Sequence, residues 1–444
     1  MRLWRLGTAG RRVADALERG QPPPAGHEPL TRRLVAAGAV HPPSASVEGA
    51  WVAVVIPTLD PEPEALQRLV DQVRREVGTT APVIVVDDAS TTTVTAPTGA
   101  VVVRTAHRSG PAGARNLGVA QVDTPYVVFV DDDVDLPEGW LAPLLGHVAD
   151  PAVAAAAPRV AGPAAGTART WWERAEQVRS PLDLGSEPAP VRPGSRVPYV
   201  PSAVLMVRRD AFGAVRGFDP TLRFGEDVDL VWRLHGAGLA VRYEPRSVVH
   251  HRARRTAWAG LVQRYRYGTS AAPLGLRHRH AIAAARASRT SLAAWLLVLV
   301  GRPVSAAAAL AATTRSAFGL RCLLRDRGVE DAGRWALRWT VRGQWSTVRQ
   351  LAAAMWRVWW PMAAVAAASG RRGRRIASVA TGVVVMDDLM WWARSPAVDP
   401  VRFLVYARMG DLAYGAGLWR GMWRHRTGAP LRIDVGTPDR VSEP

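Results

Sequence analysis

Lysine is absent from the 444 residues, so arginine supplies every basic side chain of the 47.9 kDa chain apart from histidine. This absence excludes a phosphate-binding P-loop, a Schiff-base lysine and the lysine-dependent arrangement of protein kinases. With a single cysteine, Cys322, the sequence also excludes an internal disulfide framework and a cysteine-based zinc site. A sequence with one cysteine is typical of a protein in a reducing compartment. The first residues also lack the apolar core of a secretory signal. We therefore expect a cytoplasmic protein.

Charge is distributed unevenly along the chain. Residues 1–250 hold 26 arginines against 28 acidic residues, a net charge of −2, whereas residues 251–444 hold 31 against 10, a net charge of +21. The basic half also contains 12 of the 18 tryptophans. Tryptophan and arginine on amphipathic helices favour contact with an anionic membrane surface, here the inner face of the cell membrane. An ordinary helical domain, rich in alanine and arginine for coding reasons, is the alternative.

Long apolar runs are scarce as well. The two most apolar stretches, residues 292–314 and 351–370, are each interrupted by arginine and proline. Neither provides the roughly 20 apolar residues that cross a bilayer as one helix. We therefore expect attachment to a membrane surface rather than a span.

The pattern divides the chain into three segments. Residues 1–48 form a small appendage with short helices at 12–19 and 30–38, which either caps the next domain or binds a peptide or partner. Residues 49–270 form an α/β domain, and residues 271–444 form an α-helical basic region. The boundaries rest on Pro- and Ser-rich breaks and on the change of periodicity.

Buried strands alternate with helices after residue 50. The apolar runs at 51–56, 82–86, 101–104 and 126–130 are each short and rich in valine, and residues 64–77 have helical periodicity. Such a pattern predicts a parallel sheet covered on both faces. Ligands of these sheets bind beyond the carboxyl ends of the strands. The sequence places acidic residues at three such ends: Asp60, Asp87-Asp88 and Asp131-Asp132-Asp133.

The triple aspartate is the strongest chemical feature. Asp131 and Asp133 are two residues apart, so on an extended backbone both carboxylates point the same way and can reach one divalent ion. Oxygen ligands favour Mg²⁺ or Mn²⁺, ions that bind diphosphates and stabilise a departing nucleotide. A solvated acidic turn before Pro137 is the alternative.

A second acidic group, Glu226-Asp227, opens a predicted helix. Carboxylates in a first helical turn interact favourably with the helix dipole, which is one explanation for them. The other is that one of them accepts a proton from an acceptor hydroxyl. A diphosphate-binding acid pair and a separate base are together what displacement at an anomeric carbon requires.

Five short motifs occur in order along the chain. They are Val-Val-Ile-Pro-Thr at 54–58, Val-Val-Asp-Asp-Ala-Ser at 85–90, Gly-Ala-Arg-Asn-Leu-Gly at 113–118, Asp-Asp-Asp at 131–133 and Gly-Glu-Asp at 225–227. In combination they resemble the family 2 glycosyltransferases, over about residues 50–270. The resemblance implies the GT-A fold, a Rossmann-like, mostly parallel sheet, and inverting transfer that turns an α-linked nucleotide sugar into a β-linked product.

The resemblance also implies roles for individual residues. Asp131 and Asp133 would bind the ribose and the metal-bound diphosphate, and Asp227 would be the base with Glu226 beside it. Where the family often has an aromatic residue and asparagine, this chain has Leu59-Asp60, so the contact that stacks on the base is left open. The remaining nucleotide contacts would come from Pro57, Thr58, Asp87, Asp88, Arg115 and Asp132.

The segment Gln-Arg-Tyr-Arg-Tyr at 263–267 resembles the Gln-x-x-Arg-Trp motif of processive β-glycan synthases, with Tyr267 in place of tryptophan. That resemblance implies that Tyr267 stacks on the acceptor sugar while Gln263 and Arg266 lie near the acceptor and diphosphate. A ring can hold the apolar face of a sugar in this way. An arginine-rich amphipathic helix is an equally weighted alternative.

The run Tyr-Gly-Thr-Ser-Ala-Ala-Pro-Leu at 267–274, with the Arg/Ala-rich tail, resembles the glycosyltransferases of the mycofactocin system. The resemblance implies UDP-glucose as donor, a redox cofactor derived from a ribosomal peptide as acceptor, and a β-linked oligoglucoside as product. One alternative is a rhamnosyl- or mannosyltransferase for a lipid or cell-wall acceptor. Another is a non-catalytic protein whose basic half binds membrane or nucleic acid. No nucleic-acid motif is present, so we expect no nucleic-acid partner.

His250 and His251 follow a predicted strand at 240–249. Imidazole is a plausible metal ligand, and the resemblance makes a histidine here, with His250 as the named candidate, part of the metal shell. The sequence does not separate the two histidines, and a hydrogen-bonded strand end is the alternative. Residues 198–203 are a candidate for the floor of the acceptor site.

Overall fold

A computed structural model describes residues 6–45, 51–279 and 281–435. The chain forms two compact units, the first ending at Ala257 and the second beginning at Trp258. The predicted boundary between residues 48 and 49 lies outside the described residues. The predicted boundary after residue 270 stays a prediction. The second unit begins earlier, so it includes the segment 263–267.

Within the described residues, one nine-stranded sheet is the framework of the first unit. Its order is β3-β2-β1-β4-β8-β6-β9-β5, and β7 pairs with β9 outside that path. The strands are β1 Val52–Thr58, β2 Val83–Asp87, β3 Val101–Arg104, β4 Tyr126–Val130, β5 Val134–Asp135, β6 Val153–Ala161, β7 Ala189–Val191, β8 Val204–Arg208 and β9 Ala240–His251.

The expected parallel arrangement holds for the four strands at one side of this sheet. β3, β2, β1 and β4 are all parallel neighbours, and β6 and β9 are a further parallel pair. β8 is antiparallel to both β4 and β6, and β5 and β7 are antiparallel to β9. An unbroken apolar run indicates burial on both faces, but it carries no information on strand direction. For that reason the sequence did not predict which strands of this sheet run antiparallel.

Helices cover both faces of the parallel side. In the first unit they are α1 Thr8–Glu18, α2 Glu28–Ala36, α3 Pro63–Val77, α4 Gly110–Val119, α5 Ala142–Leu145, α6 Trp171–Val178, α7 Arg209–Ala214 and α8 Glu226–Gly236. Leu69 of α3 belongs to the same core cluster as Val54 and Ile56 of β1. On the opposite face, a Cβ on Gly118 of α4 would lie 2.3 Å from Cγ1 of Val55. The lack of a side chain at Gly118 therefore lets α4 approach the sheet closely.

The appendage at the start of the chain is anchored to the first unit. Its two helices pack around Val13, Leu17 and Leu34. Beyond them, His41 Nδ1 lies 2.7 Å from Oε1 of the fully buried Glu244, near the end of the sheet. These contacts favour the interpretation of the appendage as a cap.

The second unit is helical. Its helices are α9 Ala257–Thr269, α10 Ala271–Arg277, α11 Arg289–Val300, α12 Pro303–Asp326, α13 Ala332–Arg357, α14 Trp360–Ser369, α15 Arg371–Trp392 and α16 Pro400–His425. The short strands β10 Ala285–Arg286 and β11 Ile433–Asp434 form a parallel pair, and a 3₁₀ turn at Ala429–Leu431 precedes β11. The expected interruptions are present: α12 begins at Pro303, and Pro361 lies in the first turn of α14.

Glycines allow α9 and α16 to pack closely. A Cβ on Gly417 would lie 1.8 Å from the carbonyl oxygen of Tyr265, and one on Gly268 would lie 2.0 Å from that of Tyr414. Backbone therefore meets backbone where these helices cross.

Over the described ranges, no individual helix combines the length and the hydropathy that crossing a bilayer needs. The pair α13 and α14 meets the criteria jointly, with a 90° bend between them.

Candidate active site

Three parallel strands end at one edge of the sheet and bring the predicted polar residues together. Thr58 ends β1, and its hydroxyl donates a hydrogen bond to the Asp132 carboxylate, just beyond β4. Its carbonyl accepts from the Asp88 amide at 2.9 Å. Pro57 is buried in β1 opposite Val86 of β2. The predicted gathering of acids at strand ends is thus what the fold produces.

Asp87 and Asp88 organise the loops of this edge. The Asp87 carboxylate accepts from the Ser90 amide at 2.8 Å and from the Arg104 guanidinium. Burial alone would raise the pKa of Asp87, but the Ser90 and Arg104 hydrogen bonds lower it. Asp88 accepts from the Ser109 amide at 2.7 Å and from its hydroxyl at 2.8 Å, at the start of α4. Both carboxylates therefore accept hydrogen bonds from protein groups, and these contacts shape the predicted nucleotide pocket.

Arg115 connects the two acidic groups. It projects from α4, is almost completely buried, and donates to Asp131 Oδ1 at 2.6 Å and to Glu226 Oε1 at 3.0 Å. Its guanidinium carbon lies 5.3 Å from the centre of the Phe218 ring. Burial alone would lower the pKa of Arg115, but the Asp131 and Glu226 carboxylates raise it. A permanent positive charge thus fixes the end of β4 relative to the start of α8.

The three acids that open α8 have different partners. Glu226 pairs with Arg115, while Asp229 is buried and pairs with Arg233 at 2.7 Å. Asp227 is half-buried and accepts from the Ser202 amide at 3.3 Å, and no arginine lies within ion-pair distance of it among the described residues. Burial raises the pKa of Asp227, and burial together with Asp227 raises the pKa of Glu226 to about 7. Asp227 is accordingly the acid of this group whose carboxylate is not tied to an arginine, and its role as a base stays a prediction.

The histidine beside the triple aspartate is His251. Its Nε2 lies 3.4 Å from Asp133 Oδ2, whereas His250 Nδ1 faces the Gly162 carbonyl at 2.9 Å. The geometry thus favours His251 over His250 as the histidine of the predicted metal shell, and the metal role itself stays a prediction. Val134 of β5 pairs with His251, and side chains alternate along a strand, so the sheet directs the neighbouring His250 elsewhere.

A histidine and an arginine lie against Asp133. Arg254 lies 3.2 Å from its carboxylate, and the carboxylate is 23% exposed. Burial alone would raise the pKa of Asp133, but His251 and Arg254 lower it, and Asp133 in turn raises the pKa of His251 above the value that burial would give. By contrast, burial and the Asp133 charge raise the pKa of Asp132 to about 6.

This arrangement fits a divalent ion that is shared with a substrate. No cluster of three or more histidine, cysteine, aspartate or glutamate side chains is preformed for a metal within the described ranges. Asp133 and His251 nevertheless lie next to each other and would supply an oxygen and a nitrogen ligand if a metal displaced the imidazole proton, with Asp131 close enough for Asp133 to raise its pKa. Mg²⁺ commonly binds one or two carboxylates and completes its shell with water and phosphate oxygens.

The predicted acceptor and diphosphate residues of the second unit lie on α9. Gln263 Nε2 donates to the Tyr267 hydroxyl at 2.8 Å, and Arg266 is exposed. Their roles toward a substrate stay predictions.

Sequence reasoning missed several partners of the site. Arg104 ends β3, and its pairing with Asp87 depends on the sheet order. Ser202 falls within the segment 198–203 that was predicted to shape the acceptor floor, but its amide contact with Asp227 is a tertiary feature. Arg254 is the partner that the sequence could have indicated, because it belongs to an arginine cluster directly after β9.

With this geometry, the similarity to known proteins becomes informative. Residues 53–215 match Glycosyl transferase family 2. Over 423 residues, 92% of this chain and 87% of the relative, the sequence is 39% identical to the pre-mycofactocin glycosyltransferase of Mycobacterium tuberculosis, in strains CDC 1551 / Oshkosh and ATCC 25618 / H37Rv. The chain belongs to glycosyl transferase family 2. Its GT-A fold class and its similarity to the mycofactocin-system enzyme are thereby confirmed.

More distant similarities exist for parts or all of this glycosyltransferase. Mouse polypeptide N-acetylgalactosaminyltransferase 15 is 29% identical over 168 residues, which is 33% of this chain and 25% of that protein. Among solved structures, a mannosyltransferase from Pyrobaculum calidifontis in complex with GDP-Man and Mn²⁺ aligns over 94% of this chain and 95% of its own. The identity is 16% and the TM-score 0.47.

Proposed function

We propose that this glycosyltransferase transfers glucose from UDP-glucose to a mycofactocin-type acceptor, a redox cofactor derived from a ribosomal peptide. Two observations support the proposal. One is the 39% identity to pre-mycofactocin glycosyltransferase across nearly the whole chain. The other, which carries the mechanism, is that Arg115 links the Asp131–Asp133 strand end to the helix that presents Asp227.

The donor would bind at the strand edge. Thr58 and Asp132, which are hydrogen-bonded to each other, lie at the ends of β1 and β4, where the nucleotide of an open α/β sheet is bound. Asp87 and Asp88 would act mainly by holding the surrounding loops. Arg115 is a positioning residue in this scheme, because its charge is shared between Asp131 and Glu226.

A divalent ion, Mg²⁺ or Mn²⁺, would be held by Asp133 and His251, with Asp131 nearby. When bound, such an ion supplies positive charge that stabilises the diphosphate leaving group. The chain itself keeps Asp133 ionised through His251 and Arg254, so the ligand is available at neutral pH.

Asp227 would accept the proton of the acceptor hydroxyl as that oxygen attacks the anomeric carbon from the face opposite UDP. The new glycosidic bond forms as the bond to the diphosphate breaks, so an α-linked donor gives a β-linked product without a covalent sugar–enzyme intermediate. The Ser202 amide fixes the Asp227 carboxylate, and the arginine that could neutralise this charge is instead paired with Glu226.

Repeated transfer is a further part of the proposal. Tyr267, oriented by Gln263, offers a ring on which an acceptor sugar can stack, and Arg266 is an exposed cation on the same helix. The product would then be a short β-linked oligoglucoside. We place the reaction in the cytoplasm, at the inner face of the cell membrane.

A transfer assay with purified full-length enzyme tests this function. The enzyme is incubated with a peptide-derived mycofactocin precursor and with UDP-glucose, GDP-mannose or dTDP-rhamnose in turn, and products are followed by mass spectrometry. We expect stepwise addition of hexose from UDP-glucose alone, with β linkage in the NMR spectrum. Transfer from GDP-mannose or dTDP-rhamnose to a lipid extract, and none to the precursor, would contradict the proposed donor and acceptor while leaving the enzyme class intact.

A further inference from the structure

Two apolar helices of the second unit lack a protein partner over most of their surface. α11 contains Leu-Ala-Ala-Trp-Leu-Leu-Val-Leu-Val at 292–300, yet only Ser291 and Ala294 of this helix are buried. α14 contains Trp-Pro-Met-Ala-Ala-Val-Ala-Ala-Ala at 360–368, and none of its residues is buried. A helix that is apolar on all sides normally lies inside a protein core or a membrane.

A side chain of α15 reaches the end of α11. α11 ends at Val300, and the guanidinium of Arg375, on the first turns of α15, lies against Gly301, where a Cβ would be 3.2 Å from its Nη1. The turn that joins α11 to α12 is therefore in contact with the N-terminal part of α15, the helix that follows α14. We call the α11–α12 turn, the α14–α15 turn and the helix ends beside them the paired tip.

Exposed apolar side chains cover the paired tip. Val304 is 81% exposed and Val365 is 70% exposed. The other large apolar residues that are exposed on α11 and α14 are Leu296, Val298, Leu299, Val300 and Met362. A monomeric soluble protein rarely leaves two helices with this many large apolar side chains uncovered.

Arginines surround this apolar surface. The exposed ones in the two turns are Arg302, Arg371, Arg372, Arg374 and Arg375. None of the five has an ion-pair partner in the part of the chain that the structure describes. Positive charge that is not neutralised internally favours an anionic partner, and the apolar residues beside it favour one with a hydrocarbon interior.

The geometry points to an anionic lipid bilayer as the occupant: we propose that the paired tip inserts into one leaflet while the five arginines bind lipid phosphates. Helix lengths support insertion without crossing. At about 1.5 Å per residue, α11 is about 18 Å long and α14 about 15 Å, roughly half of a hydrocarbon core of about 30 Å. This inference does not depend on the proposed donor or acceptor, since lipid binding needs neither.

Vesicle co-sedimentation of the full chain tests the proposal. Wild type should bind vesicles that contain phosphatidylglycerol, bind pure phosphatidylcholine far less, and lose affinity as salt is raised. Val365→Asp should weaken binding at least about tenfold, because a charge would have to enter the leaflet. Val101→Asp is the matched control: Val101 is 61% exposed on β3 of the first unit, and the same change there should leave binding unaltered.

A second pair of variants separates the arginine contribution from net charge. Arg371→Gln with Arg372→Gln should weaken binding about fivefold per arginine removed. Arg11→Gln with Arg12→Gln, an exposed pair on α1, removes the same charge and should have little effect. Equal losses in both pairs would overturn the proposal, since binding would then follow overall charge.

A labelling experiment keeps the test decisive if Val365→Asp fails to fold. Cys322 is exposed and is the only cysteine, so Cys322→Ser gives a background in which Val365→Cys or Val101→Cys can carry an environment-sensitive fluorophore. Anionic vesicles should shift the emission to the blue at position 365 and leave position 101 unchanged. Failure of wild type to bind vesicles, or self-association that Val365→Asp abolishes without any lipid effect, would overturn the proposal and assign the face to a second copy.

Discussion

The two units of this glycosyltransferase use arginine in opposite ways. In the first unit, where residues 1–257 carry a net charge of +1, Arg115 is buried between two carboxylates. In the second, residues 258–444 carry +18, and arginines such as Arg371 and Arg372 are exposed beside uncovered apolar helices. The same side chain therefore organises a site in one unit and forms a surface in the other.

The difference follows from architecture. Parallel strands collect their polar ends at one edge, where opposite charges meet in a partly dry environment and fix one another. Helices distribute their side chains around a cylinder, so an excess of arginine leaves many of them facing outward. The net charge of +19 for the whole chain conceals this division.

The largest effect should come from the base. Asp227→Asn removes the proton acceptor while preserving shape, so transfer should fall by about 10²- to 10⁴-fold with nearly unchanged UDP-glucose binding. Steady-state transfer and calorimetric donor binding measure the two quantities. Asp123→Asn, the same change at an exposed site, should leave both transfer and UDP-glucose binding unchanged. Loss of donor binding in Asp227→Asn would show that this residue binds nucleotide instead.

Removing the buried arginine should cost the most stability. Arg115→Leu leaves the buried Glu226 and the partly buried Asp131 without a counter-charge, which we expect to lower the free energy of unfolding by about 3–5 kcal/mol. Arg209→Leu breaks the exposed pair with Asp123 and should cost about 0–1 kcal/mol. Urea denaturation compares the two variants. Equal losses would mean that burial does not distinguish these ion pairs.

Helix packing in the second unit should be the next most sensitive feature. Gly417→Ala would place a methyl group against the Tyr265 carbonyl, and such overpacking costs about 1–3 kcal/mol. Gly319→Ala on α12 meets no atom within 4 Å and should stabilise that helix slightly. Thermal unfolding followed by circular dichroism would separate them, and a neutral Gly417→Ala would argue against the close contact of α9 and α16.

The smallest effect concerns acid stability. Burial alone would raise the pKa of Glu244, but His147, His41 and Arg246 lower it below its ordinary value of 4.5. Because the folded-state pKa is the lower one, the stabilisation is present above about pH 4.5 and is lost as pH falls toward the folded-state value. Denaturation midpoints should therefore drop in acid for wild type and change less for Glu244→Gln. Identical pH profiles would contradict this role.

Much of the site could be predicted because it depends on local sequence. Strand ends and a helix start fix where Thr58, Asp131–Asp133 and Asp227 lie, and these positions matched their motifs. The contacts that depend on which strands pair, and in which register, could not be predicted from the sequence. The choice of His251 over His250 depends on its register with β5, and the cluster around Glu244 joins three segments that are far apart in the chain.

The most direct test of the central claim is calorimetric titration of UDP-glucose, in Mn²⁺ and then in EDTA, into wild type, Asp133→Asn and Asp135→Asn. Asp135 is the matched control, since it is an acid two residues away whose side chain is about half exposed. We predict binding in Mn²⁺ that is lost in EDTA and in Asp133→Asn but retained in Asp135→Asn. Binding that is indifferent to both EDTA and Asp133→Asn would contradict the assignment of the triple aspartate to a metal-bound diphosphate.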